Sequence, residues 1–169
     1  MNPLFENTYQ RTKNIAKEMY RYFYFQRPIC IFVYILASAN LISTILSYIL
    51  YQTYDFLFIG AILFFFGFLA LLYATQVRTM VARDKEAFGC EPMVTITFTE
   101  ESIYTTCATI KSVEYTYDKI AFARQTKNLI LLKTKANLIL ILRKDAFTLG
   151  TKEDFIAFLK AKGLIVKGK

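Results

Sequence analysis

The chain of 169 residues carries a net charge of +8, contains no histidine and is 55% hydrophobic, above the roughly 45–50% usual for soluble domains. Without histidine, the commonest general base and metal ligand is missing, and most catalytic triads and zinc sites are excluded with it. We therefore expect a protein that is not an enzyme and that uses no cofactor or metal. The basic residues are scattered, so the positive charge favours anionic lipid rather than nucleic acid as a partner.

The first segment, residues 1–27, mixes cations with apolar and aromatic side chains. Four cations are interleaved with two apolar residues and a dense aromatic group: Arg11, Lys13, Lys17 and Arg21 with Ile15, Met19, Tyr20, Tyr22, Phe23, Tyr24 and Phe25. Because cations suit lipid headgroups and aromatic rings suit the membrane interface, the pattern predicts an amphipathic juxtamembrane helix over residues 3–27. A cytoplasmic extension of the next helix is the alternative, although Pro28 favours a break.

Residues 28–77 contain a single charged side chain, Asp55. A bilayer core about 30 Å thick needs roughly 20 apolar helical residues, and each side of Asp55 is long enough. The segment therefore predicts a transmembrane helical hairpin, with helices at about 29–50 and 56–77 and a turn at 52–55. Both flanks are basic, so the positive-inside rule places both termini in the cytoplasm of a multi-pass cell-membrane protein.

Small and polar residues recur along one face of each predicted membrane helix. They are Asn40, Ser43 and Ser47 in the first helix, and Gly60, Gly67 and Ala74 in the second. Small residues let helix backbones approach closely, and amide or hydroxyl groups bond across such contacts. These two faces are expected to pair within the hairpin. A homodimer seam, or a contact with a partner membrane protein, is the alternative.

After a helix-compatible linker at 78–92, the period of the apolar residues changes to two. Val94, Ile96 and Phe98 alternate with polar neighbours, and short aliphatic runs follow at 128–134 and 137–142. Thr151 begins a helix-capping pattern, and Gly163 ends the apolar face that follows. Residues 93–169 are therefore predicted to form a cytoplasmic domain of six strands in a small, curved antiparallel sheet or barrel capped by a C-terminal helix. The fold class is that of an α+β membrane protein.

One surface of this domain is a candidate binding site for anions. Its cations are Arg124, Lys127, Lys133, Lys135, Arg143 and Lys144. A solvated outer face that protects strand edges from aggregation is the alternative.

The order of these elements resembles the YcxB-like family of bacterial membrane proteins over about residues 30–162. The resemblance rests on Phe98-Thr99-Glu100-Glu101, Tyr117-Asp118-Lys119-Ile120 and Arg143-Lys144-Asp145-Ala146-Phe147. It implies a cytoplasmic domain like a bacterial pleckstrin-homology (PH) barrel, and it supplies no activity to carry over. Glu100 and Glu101 stand in the first turn, where a phosphoinositide site would need cations, so they argue against inositide binding.

The layout favours a membrane-anchored binding or scaffold module that presents its PH-like domain to a protein or peptide partner at the cytoplasmic face. The alternative is an accessory or immunity-type membrane subunit that acts through its transmembrane hairpin.

Overall fold

The computed structural model describes residues 2–25, 28–52, 56–107 and 110–168. Its helices are α1 (Lys13–Phe25), α2 (Pro28–Tyr51), α3 (Phe56–Phe88) and α4 (Lys152–Ala161). Its strands are β1 (Phe5–Gln10), β2 (Met93–Phe98), β3 (Ser102–Cys107), β4 (Ile110–Thr116), β5 (Ile120–Gln125), β6 (Leu129–Thr134), β7 (Ile139–Arg143), β8 (Phe147–Leu149) and β9 (Val166–Lys167). The chain forms two compact units: the hairpin unit, Tyr20–Met80, and the β unit, Met1–Met19 with Val81–Lys169.

The hairpin unit contains two helices that are long and apolar enough to cross a membrane, over Cys30–Tyr51 and Ile59–Phe88. Only 11% of the most apolar window of the first helix is buried, and 0% of that of the second. The prediction of two long apolar helices is therefore confirmed. The predicted turn around Asp55 lies outside the described residues, apart from Gln52.

The β unit consists of two sheets. The first has the strand order β4-β3-β2-β1-β8 and the second β7-β6-β5-β9. All neighbours are antiparallel except β5 and β9, which run parallel. Among the described residues neither sheet closes on itself, so the single curved sheet of six strands that the sequence predicts is two open sheets.

Residues 5–10 form a strand, so the predicted helix over residues 3–27 is wrong for this segment. Strand β1 lies inside the first sheet, between β2 and β8, and pairs with β2 from Phe5↔Phe98 to Gln10↔Met93. Phe5, Asn7 and Tyr9 are buried, which is the period-two pattern of a strand. Pairing with a distant strand thus overrides the local helical pattern, and α1 begins only at Lys13.

Helix α4 packs its buried face into an aromatic cluster of the β unit. The Phe155 ring centroid lies 4.6 Å from that of Phe98 and 5.4 Å from those of Phe5 and Phe147. The predicted cap is confirmed, since the Thr151 hydroxyl accepts a hydrogen bond of 3.1 Å from the Asp154 amide. These rings join α4 to three strands that are far apart in the sequence.

The aliphatic runs of β6 and β7 form the most buried part of the second sheet. In β6, four consecutive aliphatic side chains from Leu129 to Leu132 are at most 1% exposed. In the turn between β6 and β7, Asn137 adopts a positive φ of 63° and its amide donates to the Thr134 carbonyl. Asparagine tolerates this left-handed conformation better than most residues.

Candidate functional site

A cleft of about 290 Å³ lies where the β unit joins the two connections to the hairpin. Its lining includes Arg11 and Ala16 from one connection, and Val81, Asp84 and Glu91 from the other. The Arg11 guanidinium binds the Asp84 carboxylate with two nitrogens, and its Nε is 2.8 Å from Oδ2. Bidentate pairs of this kind are geometrically specific. The pair therefore fixes the start of α1 against the end of α3 within the β unit.

Further hydrogen bonds join the same two connections. The Arg11 amide donates to the Pro92 carbonyl at 2.9 Å, and the amide of Lys13 donates to Glu91 Oε1 at 3.4 Å. Nearby, burial raises the pKa of the Tyr9 hydroxyl well above its ordinary value, so this phenol stays protonated at neutral pH. The carboxylates of Asp84 and Glu91 in the cleft accept hydrogen bonds from Arg11 and from the Lys13 amide. The cleft is therefore better suited to holding the two connections together than to acid–base chemistry.

The predicted basic patch divides into separate groups. On the second sheet, the guanidinium carbon of Arg124 lies 5.8 Å from the centre of the Phe122 ring, and Lys133 Nζ lies 5.7 Å from it. Lys135 is in the turn between β6 and β7, whereas Lys127 is in the turn between β5 and β6. These two turns lie at opposite ends of β6, so the cations do not converge on one ligand.

The two remaining cations of the predicted patch make structural contacts. Arg143 holds Asp145 through two nitrogens, and this hydrogen bonding lowers the pKa of the Asp145 carboxyl. Lys144 Nζ donates to the Thr126 carbonyl at 2.6 Å, and burial lowers its pKa. Both side chains therefore already have partners within the β unit.

The predicted helix–helix faces are not brought together in full. Asn40 lies at a gap of about 180 Å³ between α2 and α3, and its side-chain amide donates to the Leu36 carbonyl of its own helix at 3.0 Å. Ser43 is exposed, while Ser47 and Ala74 are half-buried. At Gly60 and Gly67, an added Cβ would meet no heavy atom within 4 Å in the described structure. These two glycines therefore do not serve a close approach between α2 and α3.

Three cysteines are free: Cys30 is buried, Cys90 is exposed and Cys107 is half-buried. Burial raises the pKa of the Cys107 thiol, which lowers the fraction of reactive thiolate. Among the described residues, no group of three or more Cys, Asp or Glu side chains could hold a metal ion.

Strand β9, which lies beside β5, is a feature that was not predicted from the sequence. In the described part of the chain it pairs with two residues of β5, in the register Ala123↔Val166 and Arg124↔Lys167. Beside the start of β5, the rings of Tyr117 and Phe158 lie 5.6 Å apart, and Lys162 Nζ is 5.5 Å from each of them. Strand β9 could not be predicted from the sequence, because two residues are too few to show an alternating apolar pattern.

Strand β9 is the edge strand of the second sheet, and it covers part of the side of β5 that faces away from β6. Edge strands offer backbone donors and acceptors to an added strand, and neighbouring pockets select its side chains. The Ala123 amide already makes such a bond, donating to the Ile165 carbonyl at 3.2 Å.

The C-terminal part of the chain is similar to one known protein family. The family model of the YcxB-like protein matches residues 98–159. The resemblance to the YcxB-like family is thereby confirmed for a segment that runs from the end of β2 to Leu159 in α4. Neither the curated proteins nor the solved structures contain a match to the chain. The match names a family and leaves the activity open.

Proposed function

We propose that the chain is a non-enzymatic, membrane-anchored binding module whose β unit engages a protein or peptide partner at the cytoplasmic face. The observation that carries the proposal is the pairing of Gln10 with Met93. The chain leaves the first sheet after Gln10 and enters it again at Met93, so both connections of the hairpin start from neighbouring positions in one sheet. This arrangement tethers a folded unit by two covalent links.

Membrane insertion is supported by the exposure of apolar side chains in the hairpin unit. Phe64 and Leu63 are 71% and 68% exposed, and Ile35 and Ile49 are each 62% exposed. Burying such surface in lipid removes it from water at about 25 cal/mol per Å². The helices also satisfy their own backbone polar groups, which is the condition for crossing hydrocarbon.

The orientation with both termini inside follows from the basic flanks. A cysteine-labelling experiment tests it in intact cells with a membrane-impermeant maleimide. Gln52→Cys, made in a background with Cys90→Ser, should label from outside. The native exposed Cys90 should label only after permeabilisation. Labelling of Cys90 in intact cells would refute this orientation.

A PH-like architecture of the β unit is part of the proposal. It is supported by the two sheets of the β unit, in which every neighbouring pair except β5 and β9 is antiparallel, and by α4, whose Phe155 packs against residues of β1, β2 and β8. The YcxB-like match covers most of these elements. Domains of this architecture support many different partners, so the analogy adds no ligand of its own.

Tethering at the membrane would give the β unit its functional advantage. A partner that is also at the membrane meets the tethered domain at a raised effective concentration, so weak contacts suffice. The test uses a photo-crosslinking amino acid at Ala121, which is exposed on β5, and separately at Phe64 in the hairpin. We expect a discrete crosslinked protein from position 121 in living cells. Absence of any adduct at 121 and at other exposed positions of the β unit would refute the module.

The second candidate is an accessory or immunity-type subunit that acts through the hairpin. The open surroundings of Gly60 and Gly67 favour it, because a small-residue face that α2 does not occupy can receive another helix. Gly67→Ile should then abolish the crosslinked adducts that form from position 64. Asn40→Leu, in the other membrane helix, should abolish them as well. Adducts from position 64 without any from position 121 would make this second function the better one.

A further inference from the structure

Strand β4 stands at one end of the first sheet, whose strand order is β4-β3-β2-β1-β8. It has seven residues, and in the part of the chain that the structure describes β3 is its only partner strand. Its central residues, Ser112, Val113 and Glu114, are all exposed. An edge strand of this kind offers backbone donors and acceptors to an extended chain that lies beside it.

The other ends of the two sheets leave less backbone unpaired. Strand β8 has three residues and strand β9 has two. At β7, the Asn7 side chain already bonds to the amide and the carbonyl of Arg143. Within the described residues, β4 is therefore the longest edge of the β unit that is open to another strand.

The hydrogen-bond pattern shows which backbone groups of β4 point away from the sheet. The Thr99 amide donates to the Ser102 carbonyl at 2.9 Å, so these two opposed residues form a hydrogen-bonded pair. Such pairs alternate along antiparallel strands, so Tyr104 also directs its backbone groups towards β2. Its partner on β4 is Glu114, whose amide and carbonyl consequently point outwards, as do those of Thr116.

The Glu114 carboxylate is held in place beside these outward backbone groups. Its Oε1 accepts hydrogen bonds from the Ser102 hydroxyl at 2.6 Å and the Tyr104 hydroxyl at 2.9 Å. These bonds lower the pKa of Glu114, which keeps it ionised at neutral pH. Among the described residues, Oε2 has no hydrogen-bond partner and the carboxylate makes no ion pair. The two hydroxyls therefore orient a carboxylate that can still accept from a cation.

The two faces of β4 differ in chemistry. Side chains alternate across a strand, so Val113 lies on the opposite face from Glu114, and it is 47% exposed. The exposed Glu100 and Glu101, which directly precede Ser102, add negative charge on the side of Glu114. Charge complementarity thus selects a basic side chain opposite Glu114, and the exposed apolar surface selects an aliphatic one opposite Val113.

A second copy of the chain is a poor occupant of this edge. If two β4 strands paired antiparallel about residue 113, 114 or 115, the two Glu114 carboxylates would lie at opposite or diagonal positions. Like charges at such positions destabilise the pairing of strands. A basic partner meets no such repulsion.

We propose that the edge of β4 binds an extended basic peptide that runs antiparallel to it, with an arginine or lysine opposite Glu114 and an aliphatic residue opposite Val113. The inference rests on the proposed function of a binding module and names its site and ligand class. The basic side chain pairs with Glu114 Oε2, and the peptide backbone bonds to the amide and carbonyl of Glu114. The peptide thereby extends the five-stranded sheet by one strand.

Synthetic peptides provide the first test, with the full-length protein in nanodiscs of phosphatidylcholine, whose zero net charge does not attract a basic peptide. The probe is a labelled peptide of seven residues, the length of β4, in which arginine and valine alternate. A second peptide has the same composition with its arginines grouped at one end, and a third has glutamate in place of arginine. We expect the alternating arginine peptide to bind at least about ten-fold more tightly than the other two. Equal affinities of the two arginine peptides would overturn the proposal.

Variants of the protein test the role of the carboxylate. Glu114→Gln keeps an oxygen for the two hydroxyls but removes the charge, and it should weaken binding of the probe about ten-fold. Glu86→Gln, at an exposed glutamate of α3, is the matched control and should bind like the wild type. Glu114→Lys should prefer the glutamate peptide to the arginine peptide, which also shows that the variant is folded. An equal loss in Glu86→Gln, or no reversal in Glu114→Lys, would refute a specific ion pair.

Methylated probes test whether the peptide is added as a strand. The residue opposite Glu114 directs its amide towards β4, so N-methyl groups on the arginine amides should abolish binding. The valine amides point away from β4, and their methylation should change the affinity by less than about two-fold. Equal losses from both sets of methyl groups, or no loss from either, would overturn strand addition.

Light scattering separates a partner peptide from a second copy. We expect the probe to leave the mass of the protein in detergent unchanged apart from its own. A dimer that dissociates as the probe binds would show that β4 pairs with another copy, and the proposal of a partner peptide would fail. The two levels of inference also fail separately. Cellular adducts on the β unit without probe binding would overturn only the β4 site, and probe binding without any cellular adduct would overturn only the binding module.

Discussion

The hairpin unit and the β unit use similar apolar side chains in opposite ways. In the hairpin unit, Phe64 is 71% exposed and Leu63 is 68% exposed, and the most apolar window of α3 is not buried at all. In the β unit, Phe98 and Phe155 are completely buried. One unit therefore has its core inside itself, while the other has an apolar surface that needs an apolar environment. The proposed division of the chain into a membrane anchor and a binding domain rests on this difference.

The strongest test of this comparison makes the same substitution in both units. Phe155→Ala removes a ring that contacts three other aromatic rings, so it should lower the free energy of unfolding of the β unit by about 3–5 kcal/mol. Phe64→Ala removes an exposed ring and should change the same free energy by less than about 0.5 kcal/mol. Urea denaturation in nanodiscs, followed by near-ultraviolet circular dichroism, measures both. Similar losses would show that the two units do not have separate cores.

Asn7 tests whether β1 belongs to the β unit although it precedes the hairpin in the sequence. Its side chain is completely buried, donates to the Arg143 carbonyl at 2.8 Å and accepts from the Arg143 amide at 3.1 Å. Asn7→Ala removes both bonds and leaves the Arg143 amide without this acceptor, although the Arg143 carbonyl still accepts from the Ala146 amide at 3.3 Å. The loss should cost about 1–3 kcal/mol in unfolding free energy. Gln10→Ala, at an exposed position of the same strand, is the control. An Asn7 variant as stable as the control would mean that β1 is not integrated.

Asn7 also explains why the sequence analysis missed β1. The buried face of this strand reads Phe5, Asn7, Tyr9, so a polar residue interrupts the apolar alternation that predicts a strand. Its partners are also remote, as in the bond between Thr8 and Thr95, which are 87 positions apart. A local pattern contains no information about such a partner. Strand β2 was predictable from its alternation of apolar and polar residues, and β6 and β7 from their aliphatic runs. Helix α4 was predictable from its capping pattern and apolar face.

The candidate site was less predictable than the fold for a different reason. Sequence counts of lysine and arginine predict a patch, but they do not say that Arg143 binds Asp145 or that Lys144 binds the Thr126 carbonyl. Such short-range pairs depend on side-chain directions that are set by tertiary packing. The pairing of β9 with β5 likewise depends on where α4 ends relative to a strand about forty residues earlier.

Glu18 lies in α1, a helix that begins in the β unit and ends in the hairpin unit. Its carboxylate accepts hydrogen bonds from the Thr126 hydroxyl, from the Asn128 amide at 2.8 Å and from the Asn128 side chain at 2.9 Å. Glu18→Ala should lower the unfolding free energy of the β unit by about 1 kcal/mol, since these partly exposed bonds involve a charge. Glu86→Ala, an exposed glutamate of α3, is the matched control in the same urea titration. If both variants had the same unfolding free energy, Glu18 would not contribute to the β unit, and the boundary of that unit would lie before Glu18.

The smallest expected effect concerns acid stability, which should belong to the β unit because Asp55 is the only carboxyl side chain of residues 20–80. Glu114 accepts hydrogen bonds from the Ser102 hydroxyl at 2.6 Å and the Tyr104 hydroxyl at 2.9 Å, and these bonds lower its pKa below the ordinary 4.5. A carboxyl group whose pKa is lower in the folded state stabilises the fold at pH values above its ordinary pKa. This contribution disappears as the pH falls through the pKa of the folded state. Glu114→Gln should therefore lower the urea midpoint slightly at pH 7. Below pH 4.5, the midpoint of this variant should fall less steeply with pH than that of the wild type. Parallel pH profiles for Glu114→Gln and the wild type, rather than converging ones, would contradict this account.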